Sequence, residues 1–190
     1  MSIDYDELER VILKEDLAYH QARILLLVDA VANSTGHSRK LDGLTKLAKL
    51  DFLLRYPALA VQVLDSLSES DPRLNLSRED IATPTEVEAP MVRYKYGPWD
   101  DRYYAVIGAL VGRGLLRYAK GRKGSVALTP TKEGQRLADE MSQTRDWKDL
   151  SERSEAIADA SAGMTGNAIK ELIYQRLESL MDRPHRQVIR

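Results

Sequence analysis

The fold is decided by the stretch Leu115-Leu116-Arg117-Tyr118-Ala119-Lys120-Gly121-Arg122-Lys123-Gly124-Ser125-Val126-Ala127-Leu128-Thr129. Its two ends are short apolar runs of the kind that form β-strands. The basic turn between them contains Gly121 and Gly124, which can adopt the positive φ values that tight turns need. The stretch therefore predicts a β-hairpin with strands over 115–119 and 125–129.

An amphipathic helix is predicted immediately before this hairpin, over 99–113. Its apolar residues recur at helical spacing and are Tyr103, Val106, Ile107, Leu110 and Val111. Gly112 and Gly114 predict its end. After the hairpin, Leu128-Thr129-Pro130-Thr131 predicts the start of a further helix. A helix, a hairpin and a second helix in this order are typical of the second half of a winged-helix fold.

Helical patterns dominate the rest of the chain. The segment 17–33 is apolar nearly all round, which predicts a helix at the centre of the core. A second helix is expected over about 41–56, and Pro57 separates it from a short third helix. Three amphipathic segments follow the hairpin, over 132–143, 147–160 and 167–181.

We therefore expect a mainly α protein with a small β-hairpin: a winged-helix-like core with additional C-terminal amphipathic helices. The predicted division is a winged-helix-like domain over 1–145 and a C-terminal helical extension over 146–190. Within the first part, the proline-punctuated segment at about 68–90 is expected to be an acidic loop. The basic tail from Arg183 onward is expected to be frayed.

The charge of the chain is polarised along its length. The 190 residues carry a formal net charge of -1, so the molecule as a whole does not attract nucleic acid or an anionic membrane. Seven acidic residues against two basic ones give -5 between Asp65 and Glu88. Ten basic residues against three acidic ones give +7 between Met91 and Arg136. Any attraction to nucleic acid must therefore be local to this second segment.

The sequence offers no recognisable catalytic or cofactor site. It has no cysteine, its histidines His20, His37 and His185 are far apart, and no glycine-rich loop has phosphate-binding spacing. Asp100 and Asp101 are better explained as caps on the first turn of a helix than as a catalytic pair. We therefore expect no enzyme, no cofactor and no metal, with the histidines at surface positions.

The same composition bears on location. No apolar run approaches the roughly 20 residues that a membrane-spanning helix needs. The acidic N-terminus lacks the basic and apolar regions of a signal peptide, and the absence of cysteine suits a reducing compartment. We expect a cytoplasmic protein with no membrane segment.

Aromatic residues are concentrated just before and within the predicted helix over 99–113. They are Tyr94, Tyr96, Trp99, Tyr103 and Tyr104. Tyr103 and Tyr104 lie about 100° apart around a helix, so at least one ring should reach the surface. Exposed rings beside arginines are typical of interface hot spots, which makes these five residues the candidate partner-binding set. Plain packing in the core explains them equally well.

Basic residues are concentrated on and beside the predicted hairpin. They are Arg113, Arg117, Lys120, Arg122 and Lys123. Such residues can neutralise phosphates without reading bases, so they form the candidate set for contact with the backbone of double-stranded DNA. Base-specific reading is disfavoured because Asp100-Asp101 stands at the start of the helix that would enter the groove. Solubility alone would also select a charged hairpin turn.

Three segments of the chain resemble one protein family. They are Gly43-Leu44-Thr45-Lys46-Leu47-Ala48-Lys49-Leu50-Asp51-Phe52-Leu53-Leu54-Arg55-Tyr56-Pro57, Pro90-Met91-Val92-Arg93-Tyr94-Lys95-Tyr96-Gly97-Pro98-Trp99-Asp100 and Leu128-Thr129-Pro130-Thr131-Lys132-Glu133-Gly134. Together they resemble the middle component of bacterial ABC-three-component systems, which include the Lamassu-type anti-phage systems. The Tyr-Gly-Pro corner is also shared with SocA-like antitoxin domains.

The resemblance implies a small non-enzymatic subunit that joins an SMC/Rad50-like ABC ATPase to an effector, often a nuclease. It brings no catalytic residue. Our leading hypothesis is therefore an accessory winged-helix subunit that binds the ATPase, contacts the DNA backbone through its hairpin and holds the effector inactive. The alternative is a winged-helix transcriptional regulator or antitoxin that binds a specific operator.

Overall fold

The computed structural model describes residues 16–84, 86–88, 90–95, 97–182 and 184–189. Within these ranges the chain is mainly helical and carries small antiparallel sheets, which confirms the predicted mainly α fold with a β-hairpin. The helices are α1 (Leu17–Asn33), α2 (Leu44–Arg55), α3 (Pro57–Val63), α4 (Arg78–Ala82), α5 (Tyr103–Gly112), α6 (Lys132–Ser142), α7 (Arg145–Ala160), α8 (Gly166–Arg176) and α9 (Glu178–Met181). The strands are β1 (Leu41–Asp42), β2 (Val92–Tyr94), β3 (Gly97–Trp99), β4 (Leu116–Lys120) and β5 (Val126–Pro130).

The predicted hairpin is present and is formed by β4 and β5. The two strands are antiparallel, with Tyr118 opposite Leu128, and each begins one residue later than the sequence pattern predicted. A third strand was not predicted: β1 pairs with the other edge of β5, placing Leu41 opposite Leu128 and giving the order β1-β5-β4. The hairpin is thereby attached to the loop that leads into α2.

Helix α1 occupies the centre of the core, as its all-round apolar pattern predicted. The side chains of Ile24, Leu27 and Val28 are fully buried. The helix begins at a cap in which the Asp16 carboxylate accepts hydrogen bonds from the first-turn backbone amides of Ala18 and Tyr19. Helices α2, α5, α6 and α7 and strand β5 all pack against it.

The helices after residue 145 belong to the same core. Helix α7 runs parallel to α1, since Tyr19 stacks on Trp147 at 5.4 Å near their starts and Ser34 donates to Asp159 at 2.9 Å near their ends. Ile157 of α7 and Ile173 of α8 are fully buried within the same hydrophobic cluster as α1. The division predicted at residue 145 therefore does not separate two hydrophobic cores.

The segment predicted as an acidic loop is attached to the body of the protein at its 3-10 turn. It contains a short 3-10 turn at Pro72–Leu74 and helix α4, which begins with a capping box. Arg73 bridges Asp71 within the loop to Asp159 at the end of α7, at 2.8 Å to each carboxylate. The acidic residues of this segment thus serve partly as attachment points.

The prediction that the C-terminal tail is frayed is wrong for the described residues 184–189. Val188 pairs with Val92 of β2, and the Ile189 amide donates to the Met91 carbonyl at 2.8 Å. The Tyr56 hydroxyl donates to the Ile189 carbonyl at 2.7 Å, and the Ile189 side chain is fully buried. A basic composition predicted fraying, but one apolar residue and the free edge of β2 hold the tail in place.

The segment Leu128–Gly134 that helped to carry the family resemblance has a clear structural basis. The Thr131 hydroxyl accepts from the Gly134 amide at 3.0 Å and donates to the Gly114 carbonyl at 2.6 Å, which caps α6 and binds it to the end of α5. A Cβ atom on Gly134 would lie 2.0 Å from the Leu115 carbonyl oxygen. The glycine is therefore required for the close approach of α6 to the start of the hairpin.

Candidate partner and nucleic-acid surfaces

The predicted aromatic residues form a cluster around the β2–β3 hairpin. The Trp99 ring is 5.7 Å from the Tyr94 ring, 5.2 Å from the Tyr103 ring in an edge-on arrangement, and 6.3 Å from the Tyr104 ring. Tyr96 lies outside the described residues. Trp99 is therefore the centre of the cluster and holds the other rings in place.

The neighbouring tyrosines Tyr103 and Tyr104 have opposite environments. Tyr104 is 68% exposed, which confirms that at least one of the two rings reaches the surface. Tyr103 is only 1% exposed, and its hydroxyl donates to the buried carboxylate of Asp51 at 2.7 Å. The inclusion of Tyr103 in the partner-binding set is therefore corrected: its ring belongs to the core and its hydroxyl is already bound.

A concavity of about 410 Å³ opens beside this cluster, and we call it the aromatic pocket. Its walls include the rings of Tyr94, Trp99 and Tyr104 together with Pro98, and its charged residues are Lys49, Asp101 and Arg186. Asp101 and Arg186 form an exposed ion pair at 2.5 Å. Flat rings around a concave surface, beside the exposed Asp101–Arg186 ion pair, suit an apolar or aromatic anchor of a protein partner.

Lys49 lies at the inner end of the aromatic pocket, against the β2–β3 hairpin. Burial lowers the pKa of its ammonium group to about 8, and the nearby positive charge of Lys170 acts in the same direction. A Cβ atom on Gly97 would lie 3.3 Å from the Lys49 Nζ atom, and Gly97 has a φ of +107°. Glycine at this turn therefore permits both the backbone conformation and the tight packing of the hairpin on α2.

The five predicted DNA-contacting cations are all exposed, but they do not share one face. Lys120, Arg122 and Lys123 lie at the hairpin turn. Asp42 accepts hydrogen bonds from the Arg122 amide and the Ser125 hydroxyl, both at 3.0 Å, so the backbone of the turn is fixed and the basic side chains face solvent. Arg117 points to the opposite face of β4 from Lys120, because side chains alternate along a strand.

The fifth cation, Arg113, caps the end of α5, and the exposed face of that helix carries almost no polar groups. The exposed residues of α5 are Tyr104, Ala105, Gly108 and Gly112. Base edges are read by hydrogen-bonding side chains, and these residues offer only one hydroxyl. Base reading by α5 is therefore disfavoured, as the sequence predicted, but for a different reason.

The reason given by the sequence, two carboxylates at the start of the helix, is corrected by the structure for Asp100, whereas Asp101 is exposed. Helix α5 begins at Tyr103, after both aspartates. Asp100 is buried and binds Arg55 at 2.8 Å and Arg102 at 2.7 Å. Its carboxylate faces arginines in the interior and would not meet a phosphate.

Asp100 belongs to a buried ionic network that the sequence did not reveal. In the interior, Asp51 accepts from Arg23 at 2.7 Å and from Arg55 at 2.6 Å, and all three side chains are essentially inaccessible to solvent. Burial by itself would raise the pKa of Asp51, but Arg23 and Arg55 outweigh it and hold the pKa at about 2. Burial likewise acts against ionisation of Asp100, and hydrogen bonds from Arg102 together with the charge of Arg55 leave its pKa well below the ordinary value.

The ionic network includes Glu88, which the sequence predicted to lie in a loop, and His20, which it predicted to lie at the surface. Glu88, from the predicted acidic loop, binds Arg23 at 3.1 Å and approaches Arg153 at 3.8 Å. His20 is buried, with its two ring nitrogens each 2.6 Å from a guanidinium nitrogen, one of Arg23 and one of Arg102. The loop is therefore joined to the core by charge.

The expectation of surface histidines is wrong for His20 and also for His37. His37 is buried, its Nε2 lies 2.7 Å from the Ala158 carbonyl oxygen, and its Nδ1 lies 3.0 Å from the Lys46 Nζ. Burial lowers the pKa of His37. Both histidines join segments of the fold.

One sequence signal could have indicated the network. Asp51 and Arg55 stand four positions apart in a helix whose other residues from Leu50 to Leu54 are apolar. A pair of opposite charges at this spacing, enclosed by apolar residues, predicts a buried ion pair. The long-range partners Arg23, Glu88 and Asp100 carry no such local signal.

No cluster of three or more His, Cys, Asp or Glu side chains in the described ranges is arranged to hold a metal ion. None of the described helices combines the length and the apolar character that crossing a bilayer requires. Comparison of the chain with family models, with curated proteins and with solved structures finds no match. The resemblance carried by the three segments of sequence stays a prediction.

Proposed function

We propose that this protein is a non-enzymatic adaptor subunit of an ABC ATPase complex of the Lamassu-type anti-phage defence class, acting in the cytoplasm. The observation that carries the proposal is the presence of two separate exposed surfaces on one core: the aromatic pocket and the basic hairpin. The resemblance of the sequence to the middle component of ABC-three-component systems suggests that the ATPase, the effector and DNA are the partners of these surfaces.

The proposed scaffold is a winged helix with an insertion. Helix α1, strand β1 and helix α2 are followed, after the acidic segment and the β2–β3 hairpin, by α5, β4 and β5. The strand order β1-β5-β4 joins the two parts of this sequence in one sheet. In this proposal the β4–β5 hairpin is the wing, and α6 to α9 complete the hydrophobic core.

The proposed surface for the ATPase or the effector is the aromatic pocket. Tyr104 supplies an exposed ring, while Trp99 and Tyr94 form a wall that is already held in place by packing. Large rigid side chains lose little conformational entropy on binding, which is why they dominate hot spots. A partner would insert an apolar or aromatic side chain between these rings.

The proposed role of the hairpin is contact with the DNA backbone. Its exposed cations can neutralise phosphates, and the exposed face of α5 offers little for reading bases. These two observations favour an adaptor that touches DNA without sequence preference over a regulator or antitoxin that binds one operator.

Co-expression with the proteins encoded beside its gene tests the proposal, which expects an ABC ATPase and an effector among them. We expect the three proteins to co-elute in size-exclusion chromatography. Elution of this protein alone, with no binding to either subunit, would overturn the adaptor proposal. An electrophoretic shift on the promoter of its own operon separates the alternative: a discrete sequence-specific complex at physiological salt favours the regulator.

A further inference from the structure

A second concavity, of about 570 Å³, lies between the loop over 34–40 and the β4–β5 hairpin, and we call it the loop–hairpin groove. The residues that matter for its chemistry are Ser38, Arg39, Lys40, Arg117, Thr129 and Gln135. Arg117 enters it because it points away from the face that carries Lys120. The groove therefore collects cations from two segments that are far apart in sequence.

The loop on one side of the groove is held in a costly backbone conformation. Ser38 and Arg39 are consecutive non-glycine residues in the left-handed region, with φ values of 54° and 58°. Each such residue costs about 1 kcal/mol or more, and conformations of this kind persist where the surroundings enforce them. Such strain is common at ligand-binding positions.

Hydrogen bonds to the hairpin enforce this conformation. The Thr129 hydroxyl donates to the Arg39 carbonyl at 3.1 Å, and the Lys40 ammonium donates to the Lys120 carbonyl at 2.8 Å. On the other side of the loop, His37 Nε2 lies 2.7 Å from the Ala158 carbonyl oxygen. The position of Arg39 beside the groove is thus fixed before any ligand binds.

The chemistry of the groove suits phosphate. Arg39, Lys40 and Arg117 supply positive charge, and Ser38 and Gln135 supply neutral hydrogen-bond donors. Among the described residues that line the groove there is no carboxylate. Guanidinium groups with accompanying hydroxyl and amide donors are the usual protein contacts of nucleic-acid phosphates.

We propose that the loop–hairpin groove binds backbone phosphates of double-stranded DNA through Arg39 and Arg117, and that the hairpin turn continues the contact along the same backbone. From Arg117 to the hairpin turn the strand advances about 10 Å, which is about the rise of three nucleotides along the axis of a DNA duplex. The inference rests on the DNA contact of the proposed function and adds the loop over 34–40 to it.

An acidic surface next to the groove sets the direction of the duplex. Asn33 lines the groove and also a neighbouring concavity, whose carboxylates are Asp29, Asp139, Glu155 and Asp159. These charges repel DNA. The duplex therefore leaves the groove toward the hairpin turn and away from α6 and α7.

The test measures fluorescence anisotropy of a short labelled duplex of random sequence, titrated with the full chain over a range of salt concentrations. The groove variant is R39Q/R117Q. The matched control R145Q/K148Q removes the same two charges from the start of α7, at the end of α1 opposite to Asn33 and about 25 Å from it along the helix axis. Thermal unfolding checks that both variants are folded.

We expect R39Q/R117Q to raise the Kd about tenfold and to reduce the slope of log K against log salt by about 2, while R145Q/K148Q stays within about twofold of the wild type. If R39Q/R117Q is folded and binds the duplex as tightly as the control variant does, the proposal that the groove binds DNA is overturned. If K120Q/R122Q/K123Q at the same time binds the duplex more weakly, the hairpin turn contacts DNA without the groove. If the wild-type chain does not bind the duplex, the proposal that the groove binds DNA is overturned as well. Co-elution with the ATPase tests the adaptor proposal independently.

Inorganic phosphate separates DNA from a small anion as the ligand. Wild type and R39Q/R117Q are compared for thermal stabilisation by phosphate against chloride at equal ionic strength. Stabilisation of the wild type alone, with equal DNA binding by both proteins, would assign the groove to a small phosphate compound and overturn the proposal.

Discussion

The guanidinium of Arg55 donates to the carboxylate of Asp100 at 2.8 Å, although the two residues are 45 positions apart and both are buried. Arg55 also binds Asp51, and Asp100 also binds Arg102. Through this contact, helix α2 is joined to the turn that leads into α5. The relative position of α2 and the aromatic cluster therefore depends on an ion pair as well as on apolar packing.

Removal of Arg55 should cost a large part of the stability. Arg55→Met leaves Asp51 and Asp100 buried with one counter-charge fewer each, and breaking a buried ionic network in this way typically costs about 3–5 kcal/mol. Urea unfolding monitored by circular dichroism measures the change. Arg136→Met is the control, because the ion pairs that Arg136 forms with Glu133 and Glu140 are exposed, and its unfolding midpoint should match the wild type. Equal midpoints for both variants would contradict the structural role of the network.

Asp29 should make the protein less stable as the pH rises through the mildly acidic range. Burial, and secondarily the charge of Asp139, raise the pKa of the Asp29 carboxyl from 3.8 to about 6. Between about pH 4 and pH 6 the folded state holds a proton that the unfolded state has lost, so the free energy of unfolding falls with increasing pH in this window.

Asp29→Asn should abolish the contribution of this group and stabilise the protein near neutral pH by about 1 kcal/mol, since solvent in the adjoining concavity screens part of the repulsion. Urea unfolding at several pH values measures both effects. A variant whose stability changes with pH in the same way as that of the wild type would show that another group is responsible.

Gly134 and Gly108 should respond oppositely to the same substitution. Gly134→Ala places a Cβ atom 2.0 Å from the Leu115 carbonyl oxygen, so α6 must shift away from the hairpin and the protein should lose stability. Gly108→Ala meets no atom within 4 Å and lies within α5, so it should stabilise the protein by about 0.5–1 kcal/mol. Thermal unfolding compares the two variants, and stabilisation of both would disprove the close approach at Gly134.

The buried side chain of Ile189 should contribute substantially to the stability of the protein. Ile189→Ala removes a fully buried side chain and should cost about 2–5 kcal/mol of unfolding free energy. Val188→Ala, at the partly exposed neighbouring position, should change it by less than about 0.5 kcal/mol. If chemical denaturation shows equal small effects, the tail is not held in the core in solution.

Tyr104 should matter for assembly and Tyr103 for stability. Tyr104→Ala removes an exposed ring and should weaken binding of the ATPase or effector about 30-fold, as truncation of a hot-spot residue does, while the thermal midpoint is unchanged. Tyr103→Phe removes the hydrogen bond to Asp51 and should lower the midpoint without affecting co-elution. A Tyr104→Ala protein that assembles normally would exclude this ring from the interface.

The local features of the fold were predictable, because they depend on patterns within a few residues. The apolar runs around Gly121 and Gly124 predicted the hairpin. The continuous apolar character of 17–33 predicted that helix α1 lies at the centre of the core. That at least one of the Tyr103 and Tyr104 rings is exposed followed from helical geometry alone. These inferences need only the period of a strand or helix.

Features that depend on distant partners were not predictable. Strand β1 is two residues long, and only its pairing with β5 makes it a strand. Arg23, Glu88 and Asp100 look like surface charges in the sequence, and their burial follows from convergence on Asp51 and Arg55. Arg39 and Lys40 were likewise missed as groove residues, because they approach Arg117 only after the loop over 34–40 folds against the hairpin.

Helix α1 is enclosed by α2, α5, α6, α7 and β5, and no single neighbour could be removed without exposing it to water. The chain should accordingly lose its structure in one cooperative transition, with calorimetric and van't Hoff enthalpies that agree. A fragment truncated at residue 145 would lack the wall formed by α7 and should aggregate instead of persisting as an independent module.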